Sequence, residues 1–60
     1  MDQAEKIDYF RKIYKALRVL GRDRPEVAVP AIASLRLLLI DAVGEETQRE
    51  LIGKWNEEDP

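Results

Sequence analysis

The sequence contains no cysteine and no histidine. Their absence removes disulfides, thiolate nucleophiles, imidazole bases and nearly every zinc site. Glycine and proline are sparse, at three residues each, and no two glycines stand close enough to form a phosphate-cradling loop. No stretch reaches the ~20 apolar residues that a membrane span requires. The most apolar run, Pro30 to Val43, is shorter and contains Arg36 and Asp41. The N-terminus opens on Asp2 and Glu5 without an apolar core, so no signal peptide is expected and the cytoplasm is the default location.

What is present is a chain of 60 residues, 45% hydrophobic and 37% charged, the composition of a helical module rather than a disordered tail. A chain this short buries only about 60% of the surface its unfolded form exposes. Its core supplies no more than roughly 3–5 kcal/mol unaided. With disulfides and metals excluded, the remaining support is another protein surface, either a second copy or a larger partner. The charge is uneven: the first 24 residues carry seven basic and four acidic side chains, the rest three basic and eight acidic. That split favours packing of one half on the other, or of two copies head to tail. Nucleic acid is not expected as a partner, since the chain is not basic overall.

Ile7, Phe10, Ile13, Tyr14, Leu17 and Leu20 recur at helical spacing and predict an amphipathic helix over about 2–20, with Gly21 as its stop. Asp23 and Glu26 have the spacing of a capping box, and Pro25 suits a first helical turn, so a second helix is predicted over about 24–43. Pro30 implies either a short turn followed by a fresh start or one helix kinked there. Leu35, Leu38, Leu39 and Ala42 cover one side of this helix while Ala33, Leu37 and Ile40 cover nearly the opposite one. A helix apolar almost all round calls for cover all round. Arg36 and Asp41 are expected at its rim or with partners.

A third helix is predicted over about 45–55, supported by Glu45–Arg49 and Glu50–Lys54 pairs at i,i+4. Leu37, Ile40, Gly44, Thr47, Leu51 and Trp55 also align as one stripe, which leaves a single long helix open. Residues 56–60 hold no apolar side chain before the final proline and are expected to fray. The fold class is all-α, a single small domain forming a helical hairpin or three-helix unit, completed by self-association into a helical bundle.

An enzyme is not expected, and no residue is assigned to catalysis, to a cofactor or to a metal. Ser34 and Thr47 lack an activating base, and Ser34 reads as a small residue for close helix packing. Glu45 and Glu46 are adjacent, so on a helix they point about 100° apart and read as solvated charges. Arg11, Lys15, Arg18 and Arg22 form one ridge within about 60° of the first helix. That ridge suits an acidic or phosphorylated partner; the plainer reading is a solvated face that keeps the protein soluble or pairs with the acidic half of the chain. Leu35, Leu37, Leu38, Leu39, Ile40, Leu51 and Trp55 are the candidate oligomer or partner interface, although Trp55, with Leu51, reads as a core anchor at a helix end rather than an exposed hot spot.

The order of segments resembles a known family. Tyr9-Phe10, Asp23 and Pro25, Ala28-Val29, Ala31-Ile32, Leu35, Leu38-Leu39, Gly44-Glu45, Thr47 and Leu51 are similar to the N-terminal helical domain of the alpha subunit of eukaryotic translation initiation factor 2B. The resemblance runs from Tyr9 to Leu51, with Arg24 inserted between Asp23 and Pro25 and a second glutamate at Glu46. It implies regulatory rather than catalytic work, in which a guanine-nucleotide exchange factor senses the phosphorylated alpha subunit of initiation factor 2. The partners so implied are that phosphoprotein and further copies of the chain.

Overall fold

A computed structural model describes residues 2–58. Three α-helices follow one another almost without loops: α1 (Gln3–Asp23), α2 (Pro25–Val43) and α3 (Glu45–Glu58). Among the described residues there is no strand, and the fold is all-α as expected.

Helix α1 starts where Asp2 accepts a hydrogen bond from the Glu5 amide at 2.8 Å, satisfying one of the free N–H groups of the first turn. It does not stop at Gly21. It continues to Asp23, with Gly21 on the side of α1 that faces Ala28 of α2. A Cβ at residue 21 would stand 3.4 Å from the Ala28 Cβ. The stop comes at Arg24, where the following proline disfavours helical angles. Arg24 takes φ −131°, ψ 64°, and its carbonyl accepts from the Val27 and Ala28 amides, opening α2. The expected capping box is therefore not formed. Asp23 lies inside α1, and no side chain caps α2, which has Pro25 in its first turn instead.

Helix α2 runs unbroken through Pro30, so there is no turn and fresh start at that residue. Proline there leaves one carbonyl without its intrahelical donor, a local cost that the flanking turns absorb. Gly44 then separates α2 from α3, with φ 92° and ψ 159°, and the single long helix is excluded. That backbone conformation is essentially restricted to glycine.

α1 and α2 form an antiparallel hairpin. Gln3 donates to the Ala42 carbonyl at one end, and Gly21 meets Ala28 at the other. α3 folds back on α2 and closes a core of Tyr14, Leu35, Leu39, Ile52 and Trp55. Ile7, Phe10, Leu17, Ile32, Val43 and Leu51 pack around it. The Tyr14 and Trp55 rings lie 5.8 Å apart at 42°, and the Tyr14 hydroxyl donates to Asn56 Oδ1 at 2.5 Å.

That bond corrects the expectation for the tail. Residues 56–58 continue α3 because Tyr14, Arg11 and Lys15 give them partners; residues 59 and 60 lie outside the described region. The molecule measures 33 × 21 × 21 Å with a radius of gyration of 11.2 Å, near the roughly 10 Å expected of a compact chain this long.

Candidate protein-interaction surface

The basic ridge is only partly open to a partner. Arg11 and Lys15 both reach Glu58, at 3.0 and 3.2 Å, so the C-terminal turn of α3 lies across the N-terminal half of the ridge. These hydrogen bonds, Arg11 first and Lys15 second, hold the Glu58 carboxyl below its ordinary value. Of the roles expected for the ridge, pairing with the acidic half is the one seen at Arg11 and Lys15. Arg18 sits over the Tyr14 ring, 5.9 Å from its centroid, and Arg22 is exposed in the last turn of α1. On another face of α1, Asp8 pairs with Lys12 at 2.9 Å and raises the Lys12 pKa through that hydrogen bond. In α3, Glu45 pairs with Arg49 at 3.3 Å. Glu50 and Lys54 form no such pair and are both exposed.

The candidate interface divides in two. Leu35, Leu39 and Trp55 are enclosed by this chain's own helices and are not on its surface. The reason is geometric: Leu35 and Leu39 are one turn apart on the side of α2 that faces both α1 and α3. Leu51 and Ile40 are half-buried. Leu37 and Leu38 are open to solvent, at 69% and 63% exposure. Val27 and Val29 are exposed on the same helix. The middle helix is thus too apolar for its two neighbours to cover fully, as its composition implies: within one chain α1 and α3 cover one side of it.

Leu38 belongs to an apolar groove between α1 and α2, whose other walls are Phe10, Ile13, Leu17, Ala31 and Leu35. Ser34 also borders this groove and is exposed, so it is not the close-packing residue expected; Gly21 and Ala28 fill that role. Leu37 forms a separate shallow depression with Ala33, Arg36 and Ile40. Arg36 and Asp41 are both exposed, at the rim as anticipated, and neither has an ion-pair or hydrogen-bond partner among the described residues.

One buried polar residue lay outside the sequence-based reading. Gln48 is 2% exposed, inside the core edge, and its Nε2 has no hydrogen-bond partner among the described residues. Its signal was positional: residues 48, 52 and 55 are at i, i+4 and i+7, the spacing of one helix face. Among the described residues, no group of acidic side chains is arranged to hold a metal ion, and no helix is long and apolar enough to cross a membrane.

No family model, no curated protein and no solved structure matches this chain.

Proposed function

We propose that this chain is a non-enzymatic helical protein–protein interaction module, acting in the cytoplasm, whose working surface is the outer face of α2. The observation that carries this reading is the exposure of Leu37 on that face, beside Ala33 and Ile40; Leu38, also exposed, borders the neighbouring groove between α1 and α2. Leu37 lies outside the core, and an apolar patch left open on a small protein marks a contact surface. The lack of His and Cys supports non-enzymatic work, since neither Ser34 nor Thr47 has an activating base.

A narrower reading, sensing a phosphorylated initiation factor through Arg11, Lys15, Arg18 and Arg22, follows from the resemblance alone. Glu58 competes for the first two of these cations, so a phosphate would have to displace it. Charge reversal at the four positions would leave partner binding unchanged if the ridge plays no such role.

The main reading is tested with the purified chain immobilised beside its Leu37→Glu/Leu38→Glu variant. Both leucines are exposed, so the variant keeps its helical circular dichroism. Proteins from the source cells retained by the wild type and lost by the variant support the reading; identical retention on both columns counts against it.

A further inference from the structure

The outer face of α2 also carries a charge pattern. On this face Ala33, Leu37 and Ile40 follow one another at spacings of four and three, the alternation of a helix–helix seam. With Leu37 at the a position and Ile40 at d, Arg36 falls at g and Asp41 at e. These are the flanking positions whose charges select partner and orientation in paired helices. Neither α1 nor α3 reaches this side: Leu37 is the most exposed of the large apolar residues.

Arg36 and Asp41 point away from each other across Leu37 and have no partner among the described residues. Some charges on the other helices pair within the chain, Asp8 with Lys12, Arg11 and Lys15 with Glu58, Glu45 with Arg49, while Arg36 and Asp41 flank an open apolar seam. In two parallel helices a g residue of one faces the e residue of the next heptad in the other, five positions further on. Asp41 is five positions beyond Arg36. A second copy of α2 laid parallel on the first would therefore bring Arg36 against Asp41 twice, once on each side of a Leu37–Ile40 seam. In an antiparallel pair, like flanks meet, and Arg36 would lie along the partner's Arg36 flank.

We infer that the occupant of this face is a second copy of the chain, docked with the two α2 helices parallel and joined by reciprocal Arg36–Asp41 pairs. The inference rests on the reading of the outer face of α2 as the working surface and names its partner. The seam is short, bounded by Pro30 and Gly44, so the affinity expected is micromolar or weaker, and the dimer forms and parts with concentration.

Sedimentation equilibrium of the wild type, Arg36→Glu, Asp41→Lys and an equimolar mixture of the two variants tests it. The wild type should dimerise. Each variant alone should do so about tenfold more weakly or worse, since both pairs become repulsive. The mixture should recover dimers. In a mixed pair the carboxylate introduced by Arg36→Glu faces the ammonium introduced by Asp41→Lys, while the untouched Arg36 and Asp41 pair on the other side of the seam. Charge-preserving Arg36→Lys and Asp41→Glu, and Ile13→Glu in the separate groove, should dimerise like the wild type.

A wild type that stays monomeric at millimolar concentration overturns the inference, as does a mixture that fails to recover, or dimerisation abolished by Ile13→Glu. If the monomeric wild type still retains cellular proteins through Leu37 and Leu38, the interaction-module reading survives with another partner. If it retains none, both readings fall.

Discussion

Leu39 and Leu37 stand two residues apart on one helix, at 0% and 69% exposure, and differ in what holds them there. Leu39 is enclosed by Tyr14, Leu35, Ile52 and Trp55; Leu37 lies in an open depression with Ala33, Arg36 and Ile40 of its own helix. Two leucines of identical chemistry thus lie on a core side and a contact side, separated by a rotation of about 200°. The lesson is that hydrophobic content does not by itself say which surface is structural. The position of neighbouring helices decides it.

The largest expected effect separates the two sides. Leu39→Ala removes a fully buried side chain and should lower stability by about 2–5 kcal/mol. Since a chain of this size has roughly 3–5 kcal/mol to lose, its thermal unfolding should lose most of its cooperativity. Gly44→Ala should come next, at about 1–3 kcal/mol, because the backbone there has φ 92° and ψ 159°. No atom lies within 4 Å of the added methyl, so that loss would be conformational rather than steric.

Gln48→Met tests the edge of the core in the opposite direction. Replacing a buried amide whose Nε2 is unpaired by an apolar side chain of similar volume should raise stability by about 1 kcal/mol in urea denaturation. A loss instead would mean that the amide has a partner in solution.

Glu58 adds a dependence on pH. Arg11 and Lys15 lower its carboxyl pKa below the ordinary 4.5, so its contribution is fully present above that value and is lost as pH falls through the lowered one. The difference in melting temperature between wild type and Glu58→Gln should therefore narrow on acidification below pH 4.5. A constant gap would show that the charge of Glu58 is not what ties α3 to α1. The smallest effect is expected at Leu37→Ala, within about 0.5 kcal/mol of wild type for the monomer. A loss as large as that of Leu39→Ala would erase the distinction between the two sides.

The three helices were legible because their signals are local: Asp2 ahead of α1, Pro25 opening α2, and Gly44 before the polar turn of Glu45 and Glu46. What could not be read required knowledge of distant neighbours. Gly21 resembles a helix stop in sequence, yet the helix passes through it and packs there against Ala28. Asn56 and Glu58 look like a solvated tail until Tyr14, Arg11 and Lys15 are placed beside them. The excess apolar surface of α2 was evident from its composition. Which leucines were left over depended on how far two short helices could reach around a third.

Gly44 will mislead any survey that reads intolerance to substitution as contact. A saturation scan should record it among the most restricted positions outside the core, although a side chain there would touch nothing. The restriction is set by two torsion angles, and it would be the same if the chain had no partner at all.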